Sequence, residues 1–487
     1  NPMAPPPNQF DRVDGFVNNN AVGIEEDNSL KYGALNLAYD FHWATLMSAT
    51  SYGRFNLHFT QNLTNSNLAP GFTYGDLISL PAAFGGLYGQ PALMLGDQVE
   101  FVHKFNQELR LTSDPGNQLF GHGFDWQVGG FFTHESTTLT QPYTGRDAAN
   151  PQTILSPALG GAIIPGDYKE TSYFADITYH FNTALDLELG GRGTNVKQDS
   201  QVNLFCCFLY GPTDTHYPAL FSSETSHTWS IAPRWHINED TLAYVRVSTG
   251  FRPGGPNFPT PTLPNPPTFK SDSTKNYEIG LRTDLFDKTF SIDMAVFYID
   301  WKDIQILSVV NTPSGPVGIN GNSGSAKSKG VEYNFSWRPF TGFTIGLLGA
   351  YTDAYLTSDA PGLGAFSGEK LPFVPDVSTT LNLDYRWPAF GSYSAYVGAS
   401  ETYTGVRYTG FSPTVAVIEP HVKLPVYNTV QVRFGVEDDH YSAELYGNNM
   451  TNARGITDYA NQGGANQTGQ VSFIQPRTIG IELGVKF

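Results

Sequence analysis

The 487-residue chain has a net charge of −17, with 15% charged and 14% aromatic residues. Soluble domains carry roughly a quarter charged residues, so this chain is charge-poor and rich in rings, and its acidic balance excludes a surface that covers nucleic-acid phosphates. No apolar run reaches about 18 residues, which excludes helical membrane spans but not strands that cross a bilayer with alternate residues apolar.

The first clean alternation is Leu35–Tyr39, and Tyr173–Phe181 (YFADITYHF) repeats it. Tyr277–Leu285 (YEIGLRTDL), Val331–Arg338 (VEYNFSWR) and Thr379–Trp387 (TTLNLDYRW) follow, then Val430–Glu437 and Ile479–Phe487 (IGIELGVKF). A period of two predicts strands with one apolar and one polar face. Brief turn signals fall at Asp40–His42, Asn182–Thr183, Asn238–Asp240, Phe286–Lys288, Pro339–Thr341, Pro388–Gly391 and Asp438–Asp439, with a longer one near Asp114–Gly123. Between them lie long stretches rich in Gly, Pro, Asn and Ser. They are Asn56–Asp97, Thr140–Asp167, Asp199–Glu224 and Arg252–Ser271, followed by Leu307–Gly324, Thr357–Pro372, Arg407–Lys423 and Thr451–Val471.

Short turns alternating with long loops predict an all-β fold, a transmembrane antiparallel up-and-down barrel with its long loops at one end. Trp43, Tyr298, Trp301, Trp337 and Trp387 recur near strand ends, where an aromatic girdle would lie. The stretch TLAYVRVSTGFRPGGPNFP, Thr241–Pro259, reads as an outward strand that stops in a stiff loop root, because proline ends pairing and glycine admits tight backbone. Counting from Leu30 gives about seventeen strands, an odd number where single-chain bacterial barrels have an even one. Residues 1–29 are expected to be surface loop or linker and residues 30–487 the barrel. Further strands are expected upstream or on another chain, and the start at Asn1 without a leader fits a processed or internal beginning.

Several stretches resemble the barrel of TonB-dependent outer-membrane receptors. KYGALNLAYDFHWATLMSATSY and FNQELRLTSD match early strands, and STKNYEIGLRTDLFDKTFSIDMAVFYIDWKDIQI, Ser273–Ile306, is the most specific match. SAKSKGVEYNFSWRP, EKLPFVPDVSTTLNLDYRW and the closing ELYGNNMTNARGITDYA…QPRTIGIELGVKF extend the resemblance to the end, with Phe487 as the terminal aromatic assembly signal. The resemblance implies a 22-stranded barrel, integral to the Gram-negative outer membrane, with lipid around it and a plug that this sequence lacks. It also implies energised import of a scarce bulky nutrient, most often a ferric siderophore, through contact with the TonB complex. A separate chain could carry the plug or the missing strands.

The residues suggest sites as well. Arg252, Tyr74, Tyr88, Phe205, Tyr210 and Phe258 are candidates for ligand capture by the loops, because rings offer rigid contact area and arginine pairs with anions. Loop packing, or for Arg252 a neighbouring loop acid, is the competing role. Glu278, Arg282, Asp384, Arg386 and Arg433 fall on polar strand faces and are expected in the lumen, either wet and touching a plug or paired across strands. Cys206 and Cys207, the only cysteines, exclude a disulfide framework and a thiolate metal cluster but leave a vicinal disulfide open. No nucleophile elbow, metal-ligand spacing or dinucleotide glycine pattern is present, so neither an enzyme nor a bound cofactor or metal is expected. A passive pore, or a structural subunit of a larger outer-membrane assembly, is the alternative function.

Overall fold

The computed structural model describes residues 26–62, 67–69, 72–73, 88–205, 213–257, 267–312, 315–360, 365–411, 421–461 and 469–486. Period-two alternation builds one large antiparallel wall from them. Its strands begin with β1 (Glu26–Asp40), β2 (Ala44–Asn62), β3 (Ala92–Ser113), β4 (His122–Asp147), β5 (Ile154–His180) and β6 (Leu185–Ser200). They continue with β7 (Leu220–Asn238), β8 (Thr241–Arg252), β9 (Asp272–Leu285), β10 (Phe290–Lys302), β11 (Ser325–Phe340) and β12 (Phe343–Leu356). The last are β13 (Val377–Pro388), β14 (Ser394–Thr404), β15 (Tyr427–Glu437), β16 (Tyr441–Asn448) and β17 (Thr478–Val485). Each pairs with the next in chain order. The sheet counts 20 strands because three short pieces, Gln118–Leu119, Asn203–Phe205 and Thr215–His216, join this wall. Among the described residues β1 and β17 are its two edges.

The turn end is tight and capped by side chains. Asp40 Oδ1 accepts the His42 N–H at 2.6 Å, and Asn182 Oδ1 accepts those of Ala184 and Leu185 at 2.8 and 2.9 Å. Asn238 and Asp438 do the same for Asp240, and for Tyr441 and His440. Asx turns of this kind satisfy amides that the ladder leaves open. The Tyr441 and His440 N–H groups hold the Asp438 carboxyl below its usual range. Strand β17 finishes at this same end, where Lys486 N–H donates to the His440 carbonyl at 2.8 Å.

The wall extends further toward the loop end than the turn and loop signals indicate. Strands β4 and β5 run for 26 and 27 residues, whereas about 9–11 suffice to cross a bilayer. The stretch Thr140–Asp167, expected as loop, is therefore mostly paired, out to Arg146 opposite Ile154. Likewise β2 continues to Asn62 and β3 begins at Ala92, inside the expected loop Asn56–Asp97. Strand β1 begins at Glu26, so residues 26–29 belong to the wall and not to the expected 1–29 loop. Gly, Asn, Ser and Thr mark loops only weakly where an inner strand face is itself polar.

The two faces differ sharply. One presents rows of large apolar side chains to the outside, such as Val245–Ile279–Val296–Val331–Tyr351–Val377 across six strands. Ile279 is 64% exposed and Leu483 76%. A soluble sheet would bury such a face, and among the described residues no layer covers this one, so lipid is its solvent. The buried hydrophobic clusters sit at the loop end instead, around Ile304, Leu356 and Ala360, around Met94 and Leu159, and around Leu424 and Ile456. Trp301 packs against the first of these, so it belongs to a loop root and not to the outer aromatic girdle.

Arginine on a barrel's lipid face costs about 2–4 kcal/mol at the bilayer midplane. Val296→Arg is therefore expected to lower the midpoint of denaturant unfolding in lipid vesicles. Asn334→Arg, on the opposite face of β11, should leave that midpoint near the wild-type value.

Candidate functional site

The inner face is organised by rings lying over glycines. Tyr244 on β8 covers Gly280 on β9, Tyr396 on β14 covers Gly435 on β15, and Tyr446 on β16 covers Gly480 on β17. A Cβ at any of these glycines would lie 2.3–2.4 Å from the ring. The flattened rings direct their hydroxyls at acids two strands or one rung away. Tyr244 donates to Glu278 and Tyr396 to Glu444, both at 2.8 Å.

Most of the charged residues expected on this face are paired. Arg282 donates from Nε to Asp293 at 3.1 Å and stacks over the Tyr244 ring at 5.6 Å. Arg433 on β15 reaches across β14 to Asp384 on β13. It can do so because Gly398 lies between them, where a Cβ would come within 2.6 Å of Arg433 Nε and 2.8 Å of Asp384 Oδ1. Arg386 crosses the same strand over the Tyr396 ring to Glu437. Asp384, Arg433, Glu444 and Glu482 line a recess of about 460 Å³ on this face. All five charged residues expected on the inner face lie on the face opposite the apolar rows. Four of them, Asp384, Arg386, Arg433 and Arg282, hold an oppositely charged partner.

A second network lies at the turn end. The nearly buried Asp186 accepts from His180 Nδ1 at 2.6 Å and His236 Nε2 at 2.8 Å, and Arg234 approaches at 3.4 Å. These residues come from β5, β6 and β7, and sequence spacing gave no sign of them.

The loop end carries the most elaborate arrangement. Arg252 donates to the buried Asp272 through Nε at 3.1 Å and through Nη2, and its guanidinium lies 5.8 Å from the Trp301 ring. Gln305 Nε2 donates to the carbonyls of Arg252, Pro253 and Lys270. Glu224 accepts the N–H groups of Gly254 and Ser271, both at 3.0 Å, and the Ser271 hydroxyl at 2.6 Å. Asn257 and Asn320 exchange side-chain and backbone bonds, each 2.8 Å. Gly254 has no substitute, since a Cβ would sit 2.1 Å from the Phe269 carbonyl oxygen. The stiff segment after Thr249 is thus a clasp joining β7, β8, β9 and the hairpin Gln305–Thr312/Gly315–Asn322. Arg252 was singled out from sequence, but Glu224, Asp272 and Gln305 were not, for they are lone polar residues in otherwise ordinary strand ends.

Two candidate capture rings pack on the tall β4–β5 hairpin. Tyr88 lies against Gly145 beside the Met94 and Leu159 cluster, and burial pushes its phenol above the usual range. Phe205 lies over Gly161, where a Cβ would meet the ring at 2.1 Å. Tyr74, Tyr210, Phe258, Cys206, Cys207 and Phe487 fall outside the described residues. Among the described residues no group of three His, Cys, Asp or Glu is arranged to hold a metal.

A seventeen-strand wall with a lipid-facing band, a polar inner face and long clasped loops defines a large outer-membrane-type barrel. The chain matches the family described as TonB dependent receptor-like, beta-barrel, over residues 2–450, and it belongs to that family, whose members are receptors and transporters rather than enzymes. The pesticin receptor of Yersinia enterocolitica is 26% identical over 327 residues, covering 64% of this chain and 43% of that receptor. The metal-pseudopaline receptor of Pseudomonas aeruginosa is 26% identical over 342 residues, covering 70% of this chain and 41% of the receptor. The chain thus spans less than half the length of these relatives. Among solved structures, the ferric yersiniabactin uptake receptor of Yersinia pestis superposes with a TM-score of 0.71 at 17% identity, covering 95% of this chain and 62% of that one. The ferric-catecholate import receptor of Escherichia coli gives 0.67 at 16% identity, covering 94% and 64%.

Hydrogen bonds to a charged group contribute about 1.5–3 kcal/mol each. Glu224→Ala is therefore expected to speed amide hydrogen exchange at Gly254 and Ser271 by at least tenfold, leaving exchange in β15 and β16 unchanged.

Proposed function

We propose that this chain forms the outer-membrane barrel of a receptor that imports a bulky metal chelate, with a ferric siderophore as the cargo class. The reading is carried by the family match over residues 2–450, joined to relatives named as receptors for pesticin and for metal-pseudopaline. The loops make first contact with the chelate, and the paired inner charges give a wet, satisfied surface against which a plug can move. Energy comes from the TonB complex on the turn side. The clasp at Arg252, Glu224 and Gln305 holds the loop roots in one shape, so that capture draws on the loop tips and leaves the wall unmoved. Arg252 acts within that clasp through Asp272, and the loop rings Tyr88 and Phe205 shape the hairpin on which a chelate lands.

A passive pore, or a structural subunit of a larger outer-membrane assembly, is the competing reading. Uptake of radioiron as a panel of ferric chelates, in cells with and without the gene, separates the two. The importer reading expects saturable uptake of one chelate class that a protonophore abolishes. Uptake indifferent to the protonophore, with steady conductance in planar bilayers, would sink it. Intact mass of the protein extracted from membranes gives the supporting fact, whether more than 53.4 kDa of chain accompanies the barrel.

A further inference from the structure

At the turn end of the inner face, one histidine is held by acids on both of its nitrogens. His180, the last residue of β5, has Nδ1 2.6 Å from Asp186 Oδ1 on β6 and Nε2 2.9 Å from Asp125 Oδ2 on β4. Carboxylates only accept hydrogen bonds, so each ring nitrogen must donate, and only the imidazolium carries both protons. The bridge as it stands therefore requires a charged His180.

The surroundings decide which bond goes when that charge is lost. Asp186 is 7% exposed, and its other oxygen accepts from His236 Nε2 on β7 at 2.8 Å, with Arg234 at 3.4 Å. Arg234 also pairs with Glu188 on β6 at 3.0 Å, and Asp176 on β5 accepts from Gln127 on β4. Asp125 has His180 as its one ion-pair partner among the described residues, and its side chain is 51% exposed. A neutral imidazole keeps its single proton on Nδ1, toward the nearly buried Asp186, because a carboxylate left unmet inside the protein costs more than one left in water. The bare lone pair on Nε2 then faces Asp125 and repels it.

The Asp125 bond fastens the start of β4. The ladder between β4 and β5 ends at Gly123 opposite His180, and the imidazole lies against that glycine, where a Cβ would come within 3.1 Å of Cδ2. Beyond this rung lie residues 114–121, the longest connection at the turn end. They fold back as a tab, with Gln118–Leu119 paired to His122–Gly123 and the Phe124 N–H donating to the Asn117 carbonyl at 2.9 Å. The tip presents Phe120, 88% exposed. End rungs of a ladder open first, so a side-chain bridge at this rung governs how firmly the tab is held.

We propose that His180 is a proton-operated clip for this tab. As imidazolium it ties β4 to β6 across β5 and holds residues 114–121 against the wall. On giving up its Nε2 proton to water it releases Asp125, and the tab and the first rungs of β4 open. The clip is closed at lower pH and opens as pH rises, while its carboxylates stay ionised above roughly pH 5. The pH of the compartment on the turn side sets its state, and it depends on no cargo.

The test is amide hydrogen exchange, read by mass spectrometry on the whole protein in mild detergent. It is run at about pH 5.5 and about pH 9, on either side of histidine's ordinary range, with each rate divided by the unfolded-chain rate at that pH. The peptide spanning residues 117–126 should lose protection roughly tenfold at the higher pH, the factor that one hydrogen bond to a charged group supplies. Strand β16 should keep its protection at both. His180→Gln and Asp125→Asn should each abolish the pH step. His236→Gln should retain it, as should His122→Gln, whose ring lies in the same hairpin 5.5 Å from that of Tyr179. Heat-dependent gel mobility reports whether each variant is folded, and should His180→Gln fail to fold, Asp125→Asn is read in its place. Equal protection at the two pH values in the wild type, a step that survives in His180→Gln or Asp125→Asn, or one that vanishes in His122→Gln would overturn the proposal.

Discussion

Everything in this molecule depends on one unbroken ladder of backbone hydrogen bonds, handed from strand to strand from β1 to β17. In hydrocarbon no water is present to satisfy a stray N–H or C=O, and each one left open costs several kcal/mol. The ladder answers that demand through the wall, and once it is in place the side chains are free to sort by solvent. Alternate residues meet lipid and must be apolar, and the others meet water and can carry charge. The apolar exposure that would condemn a soluble protein is here the condition of its stability.

The inner face shows how charge is tolerated in such a wall. Arg433 and Asp384 meet across an intervening strand that has been reduced to Gly398 at the crossing point. Arg386 and Glu437 meet over a tyrosine ring. Both arrangements pull three strands together with side chains, in a direction where the backbone already binds each to the next. The inner surface is therefore polar and stiff at once.

The wall itself was legible in the sequence because period two survives in stretches such as Tyr277–Leu285, Thr379–Trp387 and Ile479–Phe487, and the turns were legible because Asp40, Asn182, Asn238 and Asp438 cap them with their own side chains. The boundary between strand and loop was not. Pairing outruns the bilayer in β4 and β5, and beyond the lipid neither face need be apolar, so the alternation fades while the hydrogen bonds persist. Charged inner residues could be placed on a face from parity, but their partners could not be named. Glycine spacing does not reveal that Gly398 is a passage, and nothing around Glu224 or Gln305 announces a clasp assembled from segments up to 81 residues apart.

The rings that lie over glycines carry a consequence for how such a wall can change over generations. Tyr244 with Gly280, Tyr396 with Gly435, and Tyr446 with Gly480 each occupy one volume between them. Any side chain added at the glycine collides with the ring, whereas shrinking the ring leaves only a gap. The two positions of each pair are thus inherited as a unit, and the path between alternative pairs has a direction, with the tyrosine yielding first and the glycine only afterwards.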